Sequence, residues 1–588
     1  MIDVLAAPTQ QPVTVTAAAD ASTEVVWSLL WPLVILAGAG VLLVTITSLS
    51  ARLRRNGFPA LFTATAAVAA AVSAVPIWNR IVSLDLNEGP RLLVSGSLAA
   101  DGFGLFVTVV ICAAVFITAL LLDDYLPREG LDGPEWYVLL LLSASGGILL
   151  ATATDLILTF VGLEILSIAV YVLAAMHLRR MESQEAGFKY FILGALSSAI
   201  FLYGIALIYG ATGSTSLAGI AAAGVNQAGL DPAADSSLLL AGMALLLVGF
   251  AFKVSAAPFH VWTPDVYQGA PTPIVAYMAS GVKVAGFAGM ARVLVAGLDR
   301  YNADWRPLVF GLAALTLLIG ALLAIVQRNV KRMLAYSSIA HAGFMLIAVY
   351  VMGSPGGPAF GNPVAVLGSQ SLLFYMVAYT FMAAGTFGVM TAVGGRGDAH
   401  HDLSSYQGLA RRSPLLAGMM AVLLFGQAGI PFTSGFFAKF RVIGAAVANE
   451  SYVLAGLAML TSVAAAVLYL RVVVAMFMTE PDAAYAATDA ATPAVDDPAA
   501  DEPAGDDPAV EELEASLASD EAARLGDLEE AADDVIAAEE PMGPTEIEPG
   551  LAVMVAVAIC AGATLALGLF PDLGGGVLRE AASSLLTF

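Results

Sequence analysis

Five lysines, Lys189, Lys253, Lys283, Lys331 and Lys439, stand in a chain that carries twenty arginines. Lys253, Lys283 and Lys439 lie within apolar runs, and Lys189 lies a few residues inside another. An ionised lysine near a bilayer centre costs about 2.5–3.5 kcal/mol on insertion scales, so it needs a partner, water or a function. Arginine keeps its proton in any surroundings, whereas a buried lysine can release one near neutral pH. A chain that uses arginine at helix ends and lysine inside the apolar runs reads as one that moves protons. Lys331, at the start of a run, reads instead as a lysine snorkelling from a helix end.

Three other titratable positions join this set. Glu164, in "LTFVGLEILSIAVYVL", is the one acid well inside an apolar run. A lysine neighbour would keep both groups charged and couple their titrations; a structural ion pair is the plainer alternative. His341, in "MLAYSSIAHAGFMLI", and His260, in "APFHVWTPDVYQGAPTP", either relay a proton or are satisfied polar residues. Asp155 reads as a helix cap or interface residue, and His400 and His401 as solvated loop residues. The two cysteines, Cys112 and Cys560, sit singly in apolar runs, with no CxxC motif or Cys/His cluster. Iron–sulfur and zinc sites are therefore not expected, and no GxGxxG or GxxxxGK[ST] motif marks a nucleotide site.

The elements that must hold these residues are membrane helices. The 588 residues are 59% hydrophobic and 12% charged, with a mean hydropathy of +0.82. Soluble chains of this length carry far more charge. Fourteen apolar runs are each long enough to cross a bilayer: 27–48, 59–79, 101–122, 134–153, 156–176, 187–211, 236–257, 271–297, 307–326, 332–352, 365–392, 414–446, 451–478 and 550–571. Lipid offers no partner to an open strand, so an all-α polytopic fold is expected. Two runs are interrupted. "GFAFKVSAAPFHVWTP" has Pro258 just after Lys253, and "FGQAGIPFTSGFFAKF" has Pro431 ahead of Lys439. Proline removes a backbone donor and clashes with the preceding turn. Two such segments, helices 7 and 12, lie five helices apart and point to two inverted five-helix repeats, helices 4–8 and 9–13.

The expected organisation is an external segment 1–26, helices 1–3 over 27–133, a first repeat over 134–297 and a second over 298–478. An acidic loop over 479–549 follows, then helix 14 and a tail over 550–588. Between Glu480 and Glu548 there are 23 acids and one arginine, a net of −22. The remaining 25 acids and 24 bases net to −1, so the chain's formal charge of −23 belongs to that loop. It is rich in Ala and Pro and poor in aromatics, which predicts disorder and no catalytic group. "MIDVLAAPTQ" lacks the basic start of a cleavable signal. The Arg-bearing loops "ARLRRNG", "HLRRMES", "QRNVKR" and "GGRGDAHHDLSSYQGLARRSP" all fall on one side, which becomes cytoplasmic, with both termini outside.

"VGLEILSIAVYVLAA", "EAGFKYFILGALSSAIFLYGIALIYGATGS", "FKVSAAPFHVWTPDVYQGAPTP" and "GIPFTSGFFAKF" resemble the antiporter-like membrane subunits of respiratory complex I. The lysine at the helix-12 position and the "KYFILGALSSAIFLYG" run favour the subunit N branch of bacterial NADH-quinone oxidoreductases. The resemblance covers roughly residues 27–478 and 550–571; the acidic loop departs from it. It implies fourteen transmembrane helices and a mid-membrane charged axis. In that axis Glu164 pairs with Lys253, Lys283 joins two half-channels, and Lys439 faces the exit. Lys189 and His341 are lesser members, and His260 lies at the break. It also implies proton translocation as part of an NADH:quinone oxidoreductase in the bacterial inner membrane. No cofactor is implied in this chain, since flavin, iron–sulfur clusters and quinone belong to partner subunits. The implied partners are other complex I subunits, especially neighbouring antiporter-like and small membrane subunits, and lipid, with no nucleic acid. A subunit of a multisubunit cation/proton antiporter or a membrane-bound hydrogenase is the alternative.

Overall fold

The computed structural model describes residues 25–54, 57–82, 90–131, 133–226, 236–358, 361–479, 549–572 and 574–585. The acidic loop and most of the N-terminal segment lie outside them. The chain runs through α1 (Trp31–Leu49), α2 (Phe58–Ile81), α3 (Gly102–Arg128), α4 (Glu135–Thr152), α5 (Leu156–Ala175) and α6 (Met181–Thr212). It continues with α7 (Leu217–Asn226), α8 (Ser236–Lys253), α9 (Trp262–Gly269), α10 (Thr272–Tyr277) and α11 (Lys283–Arg292). Then come α12 (Asn302–Ile325), α13 (Val330–Met352), α14 (Pro363–Val393), α15 (Leu409–Arg412), α16 (Pro414–Ala428), α17 (Ser434–Ala448) and α18 (Tyr452–Met478). Two further helices, Leu551–Leu569 and Gly575–Ser583, end the described chain.

Among the described residues, twelve helices are long and apolar enough to span a bilayer, which makes this a multi-pass membrane protein. One of them is the continuous Thr272–Gly297, in which α10 and α11 are joined by a π-turn at Met278–Val282. The all-α expectation needs one amendment. Between α2 and α3 an antiparallel hairpin pairs β1 (Arg91–Leu93) with β2 (Leu98–Ala100). Its second strand leads directly into Asp101, whose carboxylate accepts the Gly104 N–H at 2.7 Å and caps α3. Asp155 caps α5 in the same way, taking the Ile157 N–H at 2.8 Å. Each cap supplies an acceptor for the donors that a helix start leaves unpaired.

Burial sorts the helices into centre and rim. All of the apolar window of Thr272–Gly297 is buried, and 89% of that of α13 and of α14, against 39% for α6, α12 and α18. The elements carrying Lys283 and His341 are thus shielded by other protein, while the rim helices turn apolar faces outward. Small residues allow the close packing: a Cβ on Gly435 of α17 would come within 1.8 Å of the Gly426 carbonyl of α16.

The chain leaves helical geometry between Lys253 and Trp262, and again between Ala428 and Ser434. Pro258 disfavours helix at the residue before it as well as withholding a donor, so α8 stops several residues upstream. The backbone groups released there find side chains. The Ala257 N–H donates to Thr316 Oγ1 at 2.9 Å, and the Trp262 indole donates to the Phe252 carbonyl at 3.1 Å. At the second opening Gly429 takes a left-handed φ of 85° and ends α16, and its N–H returns to Phe425 and Gly426. A side chain at that φ would be strained, and its Cβ would meet Lys439 Cδ at 3.0 Å.

Candidate functional site

Glu164 and Ser167 stand three residues apart on α5 and share a face. The Lys253 ammonium, from the last turn of α8, donates to Ser167 Oγ at 2.8 Å. Glu164 accepts a short hydrogen bond from Ser198 on α6. No ion pair joins Glu164 to Lys253 among the described residues; each bonds a serine hydroxyl instead. A cavity of about 10 Å³ lies beside Lys253, lined by Ser167, Ser198, Tyr171, Gly194, Phe252 and Lys253 among others. That is about the space one water centre needs. The rings of Tyr171 and Tyr190 lie 6.0 and 5.9 Å from the Lys253 ammonium, near enough for cation–π attraction.

A longer chain of polar groups occupies the centre. Lys283 Nζ donates to the Ser338 carbonyl at 2.8 Å and to the Ser338 hydroxyl. Ser337 bonds the Tyr469 hydroxyl and donates to Gln427 Oε1 at 3.3 Å. One turn on, His341 joins Tyr375 through Nδ1 at 2.7 Å and Tyr469 through Nε2 at 3.1 Å. Ser337, Ser338 and His341 share one face of α13 by helical spacing. Lys439 closes the series. Although it belongs to α17, its ammonium donates to the carbonyl of Ala428, the last residue of α16, at 2.9 Å and to Ser462 Oγ at 3.0 Å. A cation there is favoured by the negative end of the α16 dipole. Lys253 also lies in the last turn of its helix. Thus Lys253 ends its own helix and the Lys439 ammonium reaches the end of α16, although one lysine precedes its proline in sequence and the other follows it.

Two apolar intervals divide this axis. The stem of Lys253 packs where a Cβ on Gly286 would meet its Cγ at 3.3 Å, one turn from Lys283. The Phe344 ring stacks on Tyr375, a partner of His341, and lies 5.4 Å from the Lys439 ammonium. Hydroxyls, imidazole and amide can pass a proton along hydrogen bonds by donating on one side while accepting on the other. The apolar intervals require water or side-chain movement.

The remaining sequence candidates fall elsewhere. Lys189 is half-exposed, held by Glu185 and by Asp265 at 3.2 Å, and Asp265 also takes Arg332 at 2.6 Å. His260 is buried in the break, and its Nδ1 has no hydrogen-bond partner among the described residues. Lys331 is not a snorkelling residue. It is fully buried and donates to Asp398 at 3.0 Å and to the Ala270 carbonyl at 2.8 Å. His401 is not solvated either; it is buried, 2.8 Å from Asp398. The loop folds inward over a carboxylate, which its run of charged and glycine residues did not disclose. Sequence reading also missed Ser167, Ser198, Ser338, Tyr375, Gln427 and Tyr469. The spacing of Ser338 and Glu164 relative to His341 and Ser167 was the available clue. Asp101 and Arg292 were missed as well: they form a fully buried bidentate pair at 2.7 and 2.8 Å.

A polytopic helical bundle with lysines buried along its centre is the class that fold and side chains define. Residues 153–465 match the family described as "NADH:quinone oxidoreductase/Mrp antiporter, TM", and the chain belongs to it. NADH-quinone oxidoreductase subunit N of Trichlorobacter lovleyi is 43% identical over 424 residues, covering 72% of this chain and 82% of that one. The subunit N of Chloroflexus aggregans is 43% identical over 402 residues, covering 68% and 80%. Among solved structures, a chain of respiratory complex I from Thermus thermophilus with bound aureothin superposes with a TM-score of 0.66 at 30% identity, covering 93% of this chain and 99% of that one. A chain of the Mrp complex from Dietzia sp. DQ12-45-1b gives 0.71 at 23% identity over 95% and 97%, a likeness of fold.

Proposed function

We propose that this chain is a proton-translocating membrane subunit of an NADH-quinone oxidoreductase, the subunit N of a respiratory complex I. The observation that carries this reading is the buried series Lys253, Lys283 and Lys439 with His341, each bonded to a hydroxyl in the protein centre. The relatives named subunit N support the complex I reading at 43% identity. The antiporter alternative has support from the family description, which includes the Mrp antiporter, and from fold.

In this reading the chain crosses a bacterial inner membrane fourteen times with both termini outside. Helices 4–8 and 9–13 are inverted repeats, and helices 7 and 12 are opened at Pro258 and Pro431. Glu164 draws a proton to Lys253 through Ser198, Ser167 and water in the small cavity. Lys283 hands it on through Ser338 and the His341–Tyr469 group, and Lys439 releases it. Lys189 and His260 serve the approach to Lys253. Flavin, iron–sulfur and quinone chemistry lies in partner subunits.

The test is purification of the complex containing this chain, with NADH:quinone activity and proton uptake measured in liposomes. Glu164→Ala is expected to slow coupled turnover by about tenfold, the effect of losing about 1.4 kcal/mol of charge stabilisation. Glu164→Asp, which keeps the charge, is expected to be milder. Normal pumping by an assembled Glu164→Ala complex removes Glu164 from the cycle. Co-purification with cation antiporter subunits and no redox partners would favour the alternative.

A further inference from the structure

We propose that Asp398 is a positioning residue of the proton path, its carboxylate fixing the register between the helix that carries Lys283 and the helix that carries Ser338. This rests on the function proposed above. Asp398 lies in the loop after α14 and is fully buried. Its carboxylate accepts the Thr272 N–H at 3.1 Å and the Thr272 hydroxyl at 2.6 Å, at the start of α10. It also takes Lys331, at the start of α13, at 3.0 Å and Arg180, at the start of α6, at 3.2 Å. His401 Nε2 lies 2.8 Å away. Lys331 adds a second tie to the Ala270 carbonyl, which closes the α9–α10 junction.

Thr272 and Lys331 are therefore bound to one carboxylate. Lys283 is about 16 Å along the first helix from that tie, and Ser338 about 10 Å along the second, at 1.5 Å per residue. The Lys283–Ser338 hydrogen bond forms only if both helices keep their axial position and rotation. A tie within two to three turns of it sets both.

The loop is shaped to deliver this one side chain. Asp398 has a φ of 50°, and Gly395 and Gly397 have φ of 63° and 74°. A left-handed non-glycine residue is uncommon and persists where its surroundings over-determine it. A Cβ on Gly394 would come within 2.9 Å of the Asp398 carboxylate and 3.0 Å of the His401 ring. A second buried acid pins the loop from behind: Glu129 accepts the Gly397 N–H at 2.7 Å and lies 3.4 Å from His177 Nε2. Burial alone would raise the Asp398 carboxyl, but Lys331, His401 and Arg180 outweigh it and hold it well below the usual carboxylate range. It is a fixed charge, suited to holding rather than carrying.

The experiment uses the whole complex in liposomes, with protons translocated per NADH oxidised measured per assembled complex. Asp398→Asn is expected to lower that ratio, and Thr272→Val, which leaves every charge in place, to lower it less. A purely structural role would reduce the amount of complex and leave the ratio alone. If Asp398→Asn does not assemble, the double substitution Asp398→Asn with Lys331→Met carries the test, since it leaves no lone buried ammonium. A wild-type ratio in an assembled Asp398 variant overturns the proposal. Lys253→Ala run alongside separates the two ideas. A lowered ratio there with a normal one for Asp398→Asn sinks only the positioning role, whereas normal ratios in both sink the function from which it follows.

Discussion

Arg292→Ala is expected to leave little of the subunit assembled in the membrane. The guanidinium makes a bidentate pair with Asp101 and donates through Nε to the Ala151 carbonyl at 2.7 Å. Asp101 also caps α3, so the pair gathers the ends of α3, α4 and α11 at one point. Both side chains have no exposed surface. Removing the arginine breaks a buried, bidentate ion pair, which destabilises by about 3–5 kcal/mol. A loss of that size is a large part of the ~5–15 kcal/mol that holds a typical domain folded. Replacing both partners, Arg292→Met with Asp101→Asn, is expected to recover much of the stability, because the carboxylate's charge is then removed together with the guanidinium's. Membrane content and thermal unfolding of the purified complex check this. A single Arg292→Ala variant with wild-type content and Tm would show the pair to be dispensable.

Lys253→Ala is expected to abolish most coupled turnover while the complex still assembles. Moving a unit charge against 100 mV takes about 2.3 kcal/mol, so a carrier site must change its proton affinity by more than this during a cycle. Lys253 is placed to do so. Its ammonium rests on Ser167, with Glu164 one step away across Ser198 and a water-sized cavity. Closing that gap would strengthen proton binding, and opening it would weaken binding, since an opposite charge nearby favours the charged lysine. Alanine removes both the site and its response. Proton uptake is expected to fall by about tenfold or more, given that 1.4 kcal/mol is tenfold, and quinone-dependent NADH oxidation to fall less, so that fewer protons move per NADH oxidised. Assembled Lys253→Ala complexes that turn over normally would exclude the lysine from the path.

The legible part of this protein was what periodicity and composition control. Apolar run lengths anticipated a multi-pass helical bundle, of which twelve helices among the described residues are long and apolar enough to span where fourteen were expected. The rarity of lysine singled out Lys253, Lys283 and Lys439, because an ammonium in an apolar run has few plain explanations. Side-chain partners were not legible in the same way. Ser167, Ser338 and Tyr469 matter only through neighbours from distant helices, and serine and tyrosine are common in any apolar helix. Asp398 was hidden because a loop aspartate beside arginines reads as solvated until the glycines' left-handed turns fold it inward. Arg292 was passed over as a helix-end arginine, since its partner lies 191 residues earlier.

Lys253→Arg, reconstituted in liposomes as part of the whole complex, tests the central claim most directly. Arginine keeps the positive charge beside Ser167 but does not give up its proton at accessible pH. If the buried lysines carry protons, pumping by this variant is nearly as impaired as with Lys253→Ala, with the complex assembled at normal amounts. Proton translocation at the wild-type rate would show that a fixed charge suffices at this position, and the lysine series would then be a structural axis and not a proton path.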